Sequence, residues 1–470
     1  MRLQRTQGDL FRRATMGDTS SDHTVYIVHC TDAEGPLHES LEATFERLHE
    51  IFGLEISPSQ ETLRKLQRCE IDLGGLEKDV ARVVHPDLID YNNTWDKIDA
   101  MLERIMSKRF REAMPDSEGG GWIYNWFCVD HVGYTSNPRR KDCGYHNIFD
   151  HYRRIVEETG TPDGIHFHFH PSHPLGASHR SATFYFHDLK FFQILARCII
   201  DRNWFPSVHR AGFQTERPDS HWLLEQWIPF DISNMSSEDV PPSQLDFGGG
   251  VSGDWRRAPN DWVVYRPEHD DYQVPGNCRR YIARCLNLGT RLGLLNEAEV
   301  RRAFERAGRE GATLLSFADH DFRDVGKNVL EFQRMLASVA TDYPDVGFRY
   351  CEAREAFNKV IFGDYKPPER NILNARVDSD ARSMRKRLII ECSEPSFGPQ
   401  PFLAIQTRSG AYHHDNLDFQ EPFRSWTYLF HADTFDWDDV DHIGIATNDR
   451  RGFSHVVRLS RSEAEESTMG

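Results

Sequence analysis

Between Thr24 and Val360, short β-branched and aromatic runs alternate with stretches whose apolar residues recur every three to four positions. No other feature constrains the fold as much. Strand, helix and strand in succession force parallel pairing, and hence a layered or barrel α/β architecture. Residues 24–30 (TVYIVHC), 122–129 (WIYNWFCV), 164–170, 207–210, 228–232 and 313–318 read as strands, with a last one near Gly347. Residues 148–158, 186–203, 220–226, 279–294, 297–308 and 326–339 read as helices, and a helical insertion is expected over 37–111. Gly248–Gly250 lack the strand-to-helix context of a phosphate-binding glycine loop.

After Lys366-Pro367-Pro368 the texture changes. LIIECS, FLAIQTRS, SWTYLFHA, HIGIATND and SHVVRLS are short strands separated by turns, which predicts an all-β sandwich over about 369–462. The chain of 470 residues therefore divides into a flexible N-terminus (1–22), an α/β domain (23–365) and the sandwich, with the tail EAEESTMG solvated. A net charge of −17 opposes a general nucleic-acid or anionic-membrane role, because phosphate binding needs a basic surface. No run approaches the roughly eighteen apolar residues of a membrane span. The Arg-rich start has no apolar core of a secretory signal, and Met16 is an alternative first residue. Nine scattered cysteines without a CxxC pattern read as reduced thiols of a cytoplasmic protein.

His166, His168 and His170 alternate along GIHFHFHP, with His173 just beyond. On a strand, period two puts the three imidazoles on one face and Phe167 and Phe169 on the other. Such a face makes a poor apolar surface and a good site for a zinc-like divalent ion. Other polar residues fall at expected strand ends, where α/β folds place their chemistry: Asp32 and Glu34, then Arg210, then His320.

In that order the residues resemble the motifs of the polysaccharide deacetylase family, the NodB-homology carbohydrate esterases. The resemblance covers about 24–360 and implies a distorted (β/α) barrel of NodB-homology type carrying a divalent metal, usually zinc. It implies removal of an N- or O-acetyl group from a sugar. Thr31-Asp32-Ala33-Glu34-Gly35 matches a spaced form of the first motif, making Asp32 the general base and Glu34 the metal carboxylate. His166, His170 and Pro171 match H-x-x-x-H-P, making both histidines ligands. Arg210 of HRAGF takes the place of the arginine that orients the base, Asp254-Trp255 that of the region lining the site, and His320 of LLSFADHDF that of the general acid. His168 is skipped by the pattern and is left as a substrate contact, a support for a ligand, or a replacement for one. The implied partner is an acylated aminosugar or glycan, met in polysaccharide or glycoconjugate biosynthesis.

Other readings stay open on the residues themselves. Asp32 and Glu34 also suit the cap of a following helix, Arg210 an ordinary ion pair, and His320 a loop histidine. Trp255, Trp262 and Tyr265 suit a sugar-stacking face or the core. H-x-H on a strand also opens the site of amidohydrolase-type metal enzymes acting on non-sugar amides. A deacetylase-like carbohydrate-binding protein without activity is the reading outside catalysis.

Overall fold

The computed structural model of the chain describes residues 23–131, 145–170, 185, 189–238, 253–290, 293–379 and 385–466. The 1–22 stretch with Met16, and also His173 and Gly248–Gly250, lie outside the described residues. Seven parallel strands close into a barrel: β1 (Thr24–Ala33), β2 (Tyr124–His131), β3 (Gly164–Phe169), β4 (Val208–Ala211), β5 (Phe230–Asn234), β6 (Tyr281–Asn287) and β7 (Thr313–His320). The closure is uneven. The upper half of β1 pairs with β2 (His29↔Tyr124 to Ala33↔Cys128), whereas its lower half pairs with β8 (Gly347–Tyr350). This is an α/β barrel with a separate β domain.

Period-two alternation sorts each strand into two cores. Tyr26, Val28, Cys30, Phe127, Val208, Ile232, Ala283, Cys285, Leu314 and Ala318 fill the barrel. Val25, Ile27, Trp126, Phe167, Phe169 and Phe317 pack outward against the helical layer. Helix Ala353–Phe362 closes the lower end, stacking Phe357 on Phe230 with ring centroids 4.6 Å apart.

The expected helix over 279–294 is instead strand β6. Four arginines among apolar residues imitate an amphipathic helix, whose charged face would lie in water. In the fold Arg280 and Arg284 are buried. Arg280 is paired with Glu216 (2.5 Å) and Asp231 (2.8 Å), and Arg284 is bonded through two nitrogens to Glu299 (2.6 and 3.0 Å). A buried charge is tolerated only with such partners, and these come from distant segments that no local pattern reveals.

The insertion forms six helices between Leu41 and Arg111, with a small core of Phe45, Leu48, Leu63, Leu66, Val80 and Val83. Its first helix is capped by Ser40, so Asp32 and Glu34 do not serve that purpose. The C-terminal strands are β9 (Leu373–Ser379), β10 (Lys386–Cys392), β11 (Phe402–Thr407), β12 (Tyr412–Asp415), β13 (Asp418–Glu421), β14 (Ser425–Leu429), β15 (Val440–Asn448) and β16 (Ser454–Ser460). They form two four-stranded antiparallel sheets, ordered β13-β14-β10-β9 and β12-β11-β15-β16. The start of the expected solvated tail is a helix, Arg461–Glu466, that buries Ala464 in the sandwich core. The sandwich rests on helix Leu189–Arg202, where Gly444 lies so close to Ile199 that an added Cβ would come within 2.5 Å of it. Among the described residues, no helix is long and apolar enough to cross a membrane.

Candidate active site

At the carboxyl ends of β1, β3, β4 and β7 the barrel gathers Asp32, Glu34, His168, His170, Arg210 and His320. The sheet register explains much of this. Asp32 on β1 stands beside His320 on β7, and His168 on β3 stands beside Arg210 on β4. All but His320 are almost completely buried.

Hydrogen bonding fixes the tautomer of His168. Its Nδ1–H donates to the carbonyl oxygen of Arg210 (2.9 Å), which leaves Nε2 with a lone pair. That lone pair faces Nε2 of His170 (3.0 Å) and Oε1 of Glu34 (3.7 Å), and the last two atoms are 3.6 Å apart. Burial pushes the His168 imidazole down to about 3, past the opposing pull of Asp32, so the ring is neutral and fit to ligate. A tetrahedral site with bonds of about 2.0–2.1 Å has edges of roughly 3.3 Å, and this triangle matches it. A ligand histidine whose second nitrogen donates to a backbone carbonyl is the usual support for such an ion. Glu34, His168 and His170 thus form a buried group able to hold a metal ion.

His166, expected as a ligand, is not brought into this group. His166 lies inside β3 and His170 just past its end, four residues on, where an extended chain rises about 3.3 Å per residue and so carries the two apart. The Nε2–H of His166 instead serves two acceptors lower in the barrel, Oδ1 of Asn125 (3.0 Å) and Oε1 of Glu352 (3.3 Å). Burial lowers its pKa to about 4.

His170 reaches the group because the backbone beside it is bare. A Cβ on Gly212 would fall 2.4 Å from the His170 ring. The next two residues, Phe213 (φ 52°) and Gln214 (φ 50°), hold left-handed backbone that costs about 1–2 kcal/mol per non-glycine residue. Phe213 sets its ring edge-on to His170, with centroids 4.8 Å apart. Strain of this kind persists only where the surroundings impose it, and here Trp255 is part of the restraint. Its Nε1–H donates to the carbonyl of Gln214 (2.9 Å), and its ring is buried against Tyr272. Asp254 pairs with Arg256 (2.9 Å). Trp255, Trp262 and Tyr265 are all buried, with their polar hydrogens given to backbone carbonyls, so none offers a ring face to solvent.

Nε of Arg210 donates to Oδ1 of Asp32 (2.7 Å), and both side chains are buried. Burial alone would raise the Asp32 carboxyl. The Arg210 guanidinium outweighs that and holds it below the usual carboxylate range. Oδ2 of Asp32 lies 3.8 Å from Nε2 of His320, which is 4.0 Å from Oε1 of Glu34. An ionised carboxylate and an imidazole therefore flank the candidate metal group. Replacing Arg210 by Ala should leave desolvation unopposed, so the Asp32 pKa rises. Any activity that needs ionised Asp32 should then lose its acid limb at higher pH than wild type, and a pH–rate profile measures this. An unmoved limb would show that the pair does not set the titration.

A second buried group, His221, Glu225 and Cys278, has ligand-type residues close together. Its hydrogen bonds oppose a metal. Nδ1 of His221 faces Nη1 of Arg280 (3.2 Å), which can only donate, so the proton sits on Nε2 and is given to the Glu268 carbonyl (3.0 Å). Neither nitrogen has a lone pair to spare.

Sequence reasoning missed Asp321, the residue after His320. Its buried carboxylate accepts from the backbone N–H groups of Glu34 and Gly35 (2.9 Å each) and from the hydroxyl of Tyr152 (2.8 Å). The signal for it was the acidic run Ala-Asp-His-Asp at the end of a strand.

No family model matches the chain, and no curated protein does. Among solved structures the chain is similar to a modular endo-β-1,4-mannanase from Cellulomonas fimi, a member of the glycoside hydrolase family 26 mannanases. That match has 9% identity and a TM-score of 0.21, with 72% of this chain and 86% of that chain covered. A superposition this poor bears on neither fold nor chemistry, which rest on the barrel and its side chains.

Proposed function

We propose that the protein is a metal-dependent hydrolase that removes an N-acyl group, acetyl in the simplest case, from an aminosugar. One observation carries the reading: a buried carboxylate held ionised by an arginine, with an imidazole across the strand pair, beside a buried Glu-His-His group. Glu34, His168 and His170 would hold a divalent ion, zinc by the chemistry of the donor set. Such an ion, when bound, polarises an acyl carbonyl and lowers the pKa of water.

Amide hydrolysis also needs a proton removed from the attacking water and one delivered to the leaving nitrogen. Asp32 has Oδ1 engaged by Arg210 and Oδ2 turned toward His320, so Oδ2 accepts the first proton. His320, the more exposed of the two, delivers the second from Nε2 to the amine. Arg210 keeps Asp32 charged and fixes its rotamer. The aminosugar substrate comes from the motif resemblance, in which acid pair, histidines, arginine and late histidine keep the family's order.

The pairing of His168 with His170 favours a second reading, an amidohydrolase-type enzyme on a non-sugar amide, because H-x-H is the ligand pattern of that class. Zinc-loaded protein should be offered N-acetylated chitooligosaccharides, a nucleotide-linked N-acetylaminosugar and a panel of cyclic and acyclic amides, with acetate and free amine measured. Acetate released in step with amine from a sugar supports the deacylase. Turnover confined to the other amides moves the assignment to the second reading. Metal-replete protein that binds sugars and turns over nothing would be a binding protein.

A further inference from the structure

We propose that Asp321 is the positioning residue that sets the metal carboxylate Glu34, and that the helical insertion holds Asp321 in place. The inference rests on Glu34, His168 and His170 being ligands. Glu34 lies one residue past the end of β1, where the ladder no longer fixes the backbone, and Gly35 after it is left-handed (φ 73°). Two successive amides flanking the Glu34 Cα donate to the two oxygens of Asp321, so one carboxylate fixes both peptide planes around the ligand. Tyr152, from the helix Tyr145–Thr159, orients that carboxylate through Oδ2.

The segment bearing Asp321 is held from the other side by Asn92 of the insertion. Its Nδ2 donates to the carbonyls of Asp321 (2.9 Å) and Arg323 (3.0 Å), and its backbone N–H donates to that of Phe322 (2.9 Å). The ring of Phe322 packs on His320, with centroids 4.7 Å apart. The insertion therefore reaches the site through the backbone of residues 321–323. Outer partners of metal ligands typically govern affinity by 10–100-fold when removed.

The test is Asp321→Asn. The amide is isosteric but puts an NH2 against a backbone N–H, so one of the two amide clamps is lost. Zinc affinity, read by competition with a chromogenic chelator, should fall about 10–100-fold. The visible spectrum of the cobalt-substituted protein should shift, and Tyr152→Phe should move both readouts less and in the same direction. Asp319→Asn is the control for a merely structural effect. Asp319 is equally buried on the same strand end but serves Thr31, His29 and Asn328, none of them a ligand. That variant should lower the metal-free melting temperature and leave zinc affinity at the wild-type value.

Wild-type zinc affinity and cobalt spectrum in Asp321→Asn would overturn the proposal, as would an equal loss in Asp319→Asn. If Asp321→Asn does not fold, an unchanged Tyr152→Phe overturns it. A wild-type protein that takes up neither zinc nor cobalt refutes the ligand assignment itself, which is a different result from either.

Discussion

Changing His168 to Ala should empty the metal site, whereas changing His166 to Ala should not. Two residues apart on one strand, these histidines look equivalent in sequence, yet their environments are opposed. His168 has its Nδ1 proton tied to the Arg210 carbonyl and its Nε2 lone pair turned to His170 and Glu34. Removing it takes away one of three protein donors, and any remaining ion would be held by Glu34 and His170 alone. Metal content by elemental analysis should fall to background, with activity falling to the metal-free level. His166→Ala leaves Glu352 and Asn125 short of a buried donor, which costs about 1–3 kcal/mol of stability. The purified variant should melt earlier and still carry metal at the wild-type ratio. His170→Ala should behave as His168→Ala. Loss of metal in His166→Ala with retention in His168→Ala would restore the H-x-x-x-H ligand set.

The contrast marks where the sequence was legible. Period two in GIHFHFHP put the three imidazoles on one face, and they do line the inside of the barrel while Phe167 and Phe169 pack outward. Which pair can share an ion depends on rise per residue, and in the fold it is His168, two residues from His170, that lies beside it and Glu34. Asp32, Arg210 and His320 come from three strands far apart in sequence, and their strand-end positions were the only local clue. Strand β6 was hidden because Arg280 and Arg284 find Glu216, Asp231 and Glu299 only in three dimensions. Asp254 and Trp255 were visible as a polar-aromatic pair, but the contact that defines Trp255, with the Gln214 carbonyl, depends on left-handed backbone that no local pattern announces.

Asp32→Asn should abolish most of the turnover while leaving metal in place. The amide keeps the shape and loses the charge that Arg210 stabilises, so it cannot accept a proton from water, and a well-placed base contributes about a hundred- to ten-thousand-fold in rate. Asp32 is outside the Glu34, His168 and His170 triangle, so metal content should stay at the wild-type ratio. The loss should therefore appear in kcat. His320→Ala should lose activity in the same range for a different reason, because the leaving amine goes unprotonated. Poor amines need that proton most, so the His320 deficit should shrink on an acyl substrate with a good leaving group, such as an aryl ester, while the Asp32 deficit persists. An acid and a base can thus be told apart by the substrate dependence of two single variants. Equal deficits on both substrates would mean that His320 serves Asp32 by orientation, across the 3.8 Å between them, and does not itself deliver a proton.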